Sequence, residues 1–281
     1  MVESALKLLK NAVQKVRGVY IPLSANDKDT KSTLILDFYR NQLLHLFTGE
    51  GMVSCVISKE GNVLKEDLIK ESEYLVSLLQ LEFVTKPSSS IKEKFGSVID
   101  AMVERGILAY NSRETSNPMV SITPEGEGII TFLNYLYWPL LDSYWVAALS
   151  LFSLQPNLQS KRKLLLQKIS WLADKMHSEG KISFFESCSM EVLSNCLELF
   201  ANWKVIDVKE VKPTGGRRGQ VVVSNAEDYL VSLHSPYQQE SVLQEFVETI
   251  NKFRKIPNNA LNTRLGLRKA VMADFPMLAK L

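Results

Sequence analysis

The sequence is poor in the residues that build most metal-held or covalent sites. Among 281 residues there are three cysteines, Cys55, Cys188 and Cys196, with no Cys-x-x-Cys pair and no His/Cys cluster. That excludes zinc-site spacing and a disulfide framework, and it fits a reducing compartment with the thiols as small buried hydrophobes. Histidine is as scarce: His45, His177 and His234 are the imidazoles. None stands in a Gly-x-Ser-x-Gly context, and no Gly-x-x-x-x-Gly-Lys-[Ser/Thr] loop is present to cradle a phosphate. Charge of one sign is lacking too. The net charge is +2, whereas a domain that lives on a phosphate backbone is usually far more basic. Residues 1–17 mix Lys and Glu among apolar positions, so they form no signal-peptide core. No metal and no cofactor is called for.

What is present reads as globular. Hydrophobic residues make up 46% of the chain and mean hydropathy is −0.03. The length suits one large or two small domains. The organising stretch is Leu34–Ile57, apolar enough for core yet carrying Asp37, Arg40, Asn41 and His45. Leu36, Leu43, Leu44 and Phe47 recur at helical spacing, which predicts a core helix broken near Gly49 and Gly51. An unpaired buried polar group costs about 1–3 kcal/mol. These polar residues therefore pair inside the fold or meet a partner. On an apolar helix, His45 reads first as a satisfied core histidine; His177 and His234 read as surface residues.

The rest of the chain alternates helices with short extended pieces. Val2, Ala5, Leu6, Leu9, Ala12, Val13 and Val16 form a helical stripe, with Gly18 as its stop. So abrupt an opening suggests a fragment or a late start. Val63–Leu81, Phe95–Arg105, Lys161–Lys175, Ser189–Trp203 and Val242–Phe253 are predicted amphipathic helices. Ile107–Tyr110 and Met119–Ile122 read as paired strands, as do Val205–Val211 and Gln220–Ser224 around Lys212–Gly219. Gly215, Gly216, Arg217, Arg218 and Gly219 could offer amides and cations to a phosphate, but the plain reading is a solvated turn. A helix followed by a hairpin thus occurs twice, the outline of winged-helix modules. The expected fold is mostly α: a helical domain with two small β-hairpins in winged-helix-like units. The segments are 1–155, 156–255 and a tail over 256–281.

Ile129–Leu154 is the most apolar run. It holds no Lys or Arg and carries Phe132, Tyr135, Tyr137, Trp138, Tyr144, Trp145 and Phe152. Its length approaches a bilayer span. Pro139, expected to interrupt a helix, and Asp142, costing about 2.5–3.5 kcal/mol mid-span, argue for a buried core helix instead. Aromatics with polar tips leave peripheral membrane contact as a second reading.

Several segments resemble the region that follows the catalytic domain in glycerol-3-phosphate and dihydroxyacetone-phosphate acyltransferases. Phe38-Tyr39-Arg40-Asn41 with Leu43-Leu44-His45-Leu46-Phe47 is one. Ile129-Ile130-Thr131-Phe132-Leu133, then Pro139-Leu140-Leu141-Asp142-Ser143-Tyr144, is similar to the family's xxFLxxLxxPLLExY helix. Phe185-Glu186-Ser187 and the helix after it is a third. In such enzymes a His-x-x-x-x-Asp pair takes the proton of the acceptor hydroxyl as it attacks an acyl thioester. That pair is missing: five residues after His45, His177 and His234 stand Glu50, Ile182 and Gln239. The Glu-Gly-x-Arg element that binds the acceptor phosphate is missing as well.

The resemblance therefore implies a non-catalytic C-terminal part. Acyl-CoA and dihydroxyacetone phosphate would be met only through the full enzyme, on the way to ether lipids. Tyr39, Arg40, Asn41 and His45 would face the catalytic acyltransferase domain. Ala279-Lys280-Leu281 is close to the Ser-Lys-Leu peroxisomal address, the ending of the family's peroxisomal dihydroxyacetone-phosphate branch. It implies an import receptor as partner and a peripheral place on the lumenal side of the membrane. The alternative is a tandem winged-helix nucleic-acid-binding or protein-interaction module. Low net charge and an unbasic Ser189–Trp203 helix speak against nucleic acid.

Overall fold

The computed structural model describes residues 13–16, 19–22, 41–83, 91–111, 117–155, 158–210 and 229–255. The chain divides into two compact units, Met1–Gly49 and Glu50–Leu281.

In the first unit, β1 (Val13–Val16) pairs antiparallel with β2 (Val19–Pro22), Val16 opposite Val19. The helix expected through Val16 is thus a strand in its last turn. Val13 and Val16 satisfy a helical stripe, but their β-branched side chains also suit a strand, and nearby Val19–Pro22 supplies the partner. Residues 2–12 and Leu36 lie outside the described residues. Leu44–Phe47 is a 3-10 turn.

Helix α1 (Thr48–Glu60) follows and runs through both glycines expected to break it. Gly51 is there for packing: a Cβ on it would lie 2.0 Å from Cε2 of the fully buried Tyr137. After α1 come β3 (Asn62–Leu64), α2 (Lys65–Leu78), α3 (Ile91–Glu104), β4 (Leu108–Tyr110) and β5 (Met119–Ile122). The helix expected from Val63 therefore begins two residues later, after a short strand. The sheet order is β3-β5-β4, all antiparallel.

The same order of elements then recurs. Helix α4 (Glu127–Ser150) and a 3-10 turn to Leu154 lead into β6 (Ser160–Lys161), α5 (Arg162–Ser178), α6 (Met190–Asn202), β7 (Ile206–Glu210) and β8 (Tyr229–Leu233). This sheet has the order β6-β8-β7, matching the first. Ile206–Glu210 therefore pairs with Tyr229–Leu233; Gln220–Ser224 lies outside the described residues. A final helix, α7 (Glu240–Asn251), closes the described part.

The two repeats agree down to their turns. At the end of α3 the Ile107 N–H donates to Met102 C=O at 2.9 Å and Gly106 N–H to Val103 C=O at 3.0 Å. At the end of α6 the Val205 N–H donates to Phe200 C=O at 2.8 Å and Lys204 N–H to Ala201 C=O at 3.1 Å. Both are left-handed helix caps, with φ +70° at Gly106 and +57° at Lys204. Each returning strand then ties back to the residue after the cap: Thr123 N–H to Ile107 C=O and His234 N–H to Val205 C=O. The fold is mostly α, as expected, and the helix–hairpin repeat gains a third strand in each copy.

Helix α4 is the spine of the second unit. It packs against α5, α6 and α7 and is buried from Leu141 to its end. Pro139 does not interrupt it. Proline removes one i→i−4 bond, but neighbours on several sides hold the helix. The Ser143 hydroxyl donates 3.0 Å bonds to the carbonyls of Pro139 and Ser187. Among the described residues no helix is long and apolar enough to cross a membrane.

Candidate functional site

Of the residues singled out by the resemblance, Asn41 and His45 are described; Tyr39, Arg40, Ala279, Lys280 and Leu281 lie outside the described residues, as do Arg217 and Arg218. Asn41 and His45 are both exposed. His45 sits on the 3-10 turn, where its carbonyl accepts the Thr48 hydroxyl at 3.1 Å. The core-histidine reading is therefore corrected. Leu44 is the residue of this turn that is buried, while Leu43, Leu46 and Phe47 are 53%, 61% and 38% exposed. A regular α-helical stripe would have turned Leu43 and Phe47 inward with Leu44. The segment thus presents apolar side chains beside an amide and an imidazole.

The second polar locus is internal. Asp142, flagged as out of place in an apolar run, pairs with Arg254, and both are buried. Arg254 Nε donates to Asp142 Oδ1 at 2.5 Å, and Nη1 donates to Asn251 Oδ1 at 3.1 Å. The guanidinium lies 3.5 Å over the Trp145 ring. Burial pushes the Asp142 carboxyl up, opposed by the Arg254 charge and hydrogen bond and a backbone bond from Ser183. Burial likewise pulls Arg254 down, opposed by Asp142. The pair pins the end of α7 to α4. Arg254 carried no local signal, since its partner is 112 positions away.

A second carboxylate, Glu82, accepts the Tyr144 hydroxyl at 2.9 Å and Asn195 Nδ2 at 3.2 Å, joining the segment after α2 to α4 and α6. Burial raises its pKa against the lowering effect of those two bonds. Beside the first sheet, Asp100 of α3 accepts Lys65 Nζ at 2.7 Å and the hydroxyl of Tyr110 on β4. On the second, His234 Nδ1 lies 3.0 Å from Asp207 Oδ1. His177 packs edge-on against Phe185. Cys55 and Cys196 are buried and their thiols pushed up; Cys188 is pushed up to about 12, with burial the main cause. Such thiols hold their protons at neutral pH and make poor nucleophiles. Among the described residues no group of His, Cys, Asp and Glu could hold a metal ion. What the arrangement offers is fixed polar cross-links between helices and an exposed mixed face on the Leu44–Phe47 turn.

Residues 1–209 match the family described as the glycerol-3-phosphate acyltransferase C-terminal region. The chain is 22% identical over 223 residues to a dihydroxyacetone phosphate acyltransferase of Bos taurus, covering 75% of this chain and 31% of that protein. It is 20% identical over 245 residues to the one of Oryctolagus cuniculus, covering 84% and 33%. A glycerol-3-phosphate acyltransferase of Xylella fastidiosa (strain M12) is 24% identical over 102 residues, 36% of this chain and 12% of its own. The chain thus spans about a third of the length of the mammalian relatives it matches.

Proposed function

The chain belongs to the glycerol-3-phosphate acyltransferase C-terminal region family, and on that premise we propose that it is the non-catalytic C-terminal part of an acyl-CoA-dependent dihydroxyacetone-phosphate acyltransferase. The observation that carries this reading is the reach of the similarity. It runs twice as far along the chain for the mammalian dihydroxyacetone phosphate enzymes as for the bacterial glycerol-3-phosphate one. The activity itself, acyl transfer to a hydroxyl on the route to ether lipids, would belong to a catalytic domain supplied by the rest of the enzyme. The absent His-x-x-x-x-Asp pair supports a supporting role for this part. Tyr39, Arg40, Asn41 and His45 are assigned to the contact with that domain, and the exposure of Leu43, Leu46 and Phe47 beside Asn41 and His45 supports it.

The purified chain, given acyl-CoA with dihydroxyacetone phosphate or glycerol 3-phosphate, is expected to show no turnover above a heat-killed control; turnover would overturn the non-catalytic reading. Appending the chain to the catalytic part of a relative, in place of that relative's own C-terminal third, should preserve acylation of dihydroxyacetone phosphate. We further place a peroxisomal address in Ala279, Lys280 and Leu281, where a receptor would read a carboxylate, a cation and an apolar side chain together. A fluorescent protein carrying Ala270–Leu281 should enter peroxisomes as puncta and become diffuse when Leu281 is deleted.

The nucleic-acid reading of the two repeats is not favoured. Helix α6, which precedes the second hairpin, exposes Glu191 and Glu198 and contains no Lys or Arg. A recognition helix of that charge repels phosphate.

A further inference from the structure

The two halves of α4 differ. From Leu141 to its end the helix is buried on every side. Its first half buries Ile130, Leu133, Asn134 and Tyr137, yet leaves Ile129, Phe132 and Tyr135 42%, 58% and 44% exposed. These three follow one another at three-residue spacing, so they are neighbours along one side of the helix. Large side chains grouped in water in this way mark an interaction surface.

Lys255, the last described residue, reaches this side. Its Nζ donates to the Tyr135 hydroxyl at 2.8 Å and stands 4.6 Å over the Tyr135 ring and 5.3 Å over Trp138. Tyr135 in turn meets Trp138 at 5.3 Å and Phe184 at 5.8 Å, both edge-on. The chain therefore leaves the described fold at one end of the exposed stripe, with residues 256–281 still to follow. The other end of the stripe is acidic: Glu125 and Glu127 are exposed where α4 begins. Carboxylates there favour a cationic occupant and disfavour an anionic one.

The sequence after Lys255 has the complementary order. Leu261 and Leu265 stand four apart, and Arg264, Arg268 and Lys269 accompany and follow them. The reach suffices. From Tyr135 back to Glu127 the helix rises about 12 Å, while the stretch from Lys255 to Arg264 would span about 14 Å as a helix and about 30 Å extended.

We propose that residues 256–269 fold back along this side of α4, with Leu261 and Leu265 covering Phe132 and Ile129 and with Arg264, Arg268 and Lys269 beside Glu125 and Glu127. The occupant of the stripe is thus the chain's own next segment. The inference rests on the surface and on the point where the chain leaves it, and it stands whether or not the acyltransferase reading does.

Disulfide trapping in the full 281-residue chain tests it. The pair Phe132→Cys, Leu261→Cys should close an intramolecular disulfide under mild oxidation, seen as a linked peptide pair by mass spectrometry in protein that runs as a monomer. The pair Val208→Cys, Leu261→Cys, whose first site is an exposed apolar residue on β7, should close far more slowly. Thermal melting gives an independent readout. Phe132→Ser and the double variant Leu261→Ser, Leu265→Ser should each lower the midpoint by about 2–4 °C. All three substitutions together should lower it by little more than the larger of those shifts, because both sets remove the same contact. A link found only between two chains would assign the stripe to a second copy and overturn the proposal. So would the absence of any link, equal trapping in the Val208 pair, or unshifted midpoints.

Discussion

Arg254 shows how one side chain can decide the fate of a helix end. Its removal by Arg254→Leu leaves the Asp142 carboxylate buried without a counter-charge, and breaking such a pair costs about 3–5 kcal/mol. Replacing both partners, with Asp142→Leu added, should recover much of that loss, because the desolvation penalty leaves with the charges. Urea unfolding of the two variants checks this; a double variant less stable than Arg254→Leu would contradict it. Glu82 behaves differently, as it loses its charge rather than its partner. Its folded-state pKa is raised by burial. The folded state therefore binds the proton more tightly than the unfolded chain, and stability from this group is present below the unfolded value. It is lost as pH rises toward the folded one. Glu82→Gln keeps an acceptor for Tyr144 and should flatten that decline, so that the variant gains on the parent between about pH 4 and neutrality. Unfolding curves across that range with parallel slopes would refute it. Gly51 makes the third case. Gly51→Ala drives a methyl into the Tyr137 ring, and overpacking of that kind costs about 1–3 kcal/mol. Pairing it with Tyr137→Leu should return part of the loss.

At the scale of elements, the helices α3, α6 and α7 were legible because their apolar residues keep to i, i+3 and i+4 and the buried faces follow that count. The misread elements share a cause: local patterns that two environments satisfy equally. Val13 and Val16 fit a helix or a strand until Val19–Pro22 is seen to pair with them. Glycines at 49 and 51 look like a break, and only the distant Tyr137 explains the need for Gly51. Pro139 looks like a stop because propensity knows nothing of the three helices packed around α4. The candidate site was legible in the same uneven way. Asp142 was conspicuous as a charge in an apolar run, whereas its partner Arg254 and the Glu82–Tyr144–Asn195 link depend on contacts far apart in sequence. The repeat gives the element scale its own prediction. The cap after α3 has Gly106, while the matching cap after α6 forces Lys204 to a φ of +57°. A Cβ in the left-handed region costs about 1–2 kcal/mol. Lys204→Gly should therefore raise the thermal midpoint, and Gly106→Ala should lower it. A Lys204→Gly variant less stable than the parent would show that the lysine side chain contributes more than the strained backbone costs.

For the whole molecule, the question is what covers the turn at Leu44–Phe47. A chain that spans about a third of its mammalian relatives exposes Leu43, Leu46 and Phe47 together with Asn41 and His45. Apolar side chains left in water contribute nothing to the stability of this chain on its own, so their loss should be silent there. In an enzyme that also holds the catalytic domain, the same side chains would be withdrawn from water, and a fully buried Leu or Phe contributes about 1.5–3 kcal/mol. Leu46→Ser with Phe47→Ser is therefore expected to leave the melting of the isolated chain unchanged. In the chimera carrying a relative's catalytic part, the same pair should weaken copurification of the two parts when they are expressed as separate chains, and lower acylation when they are fused. Because the variants do not touch the tail, import should be untouched. Loss of stability in the isolated chain would assign these residues to its own packing. Unchanged association and activity in the chimera would place the docking face elsewhere and leave Tyr39, Arg40, Asn41 and His45 without the role proposed for them.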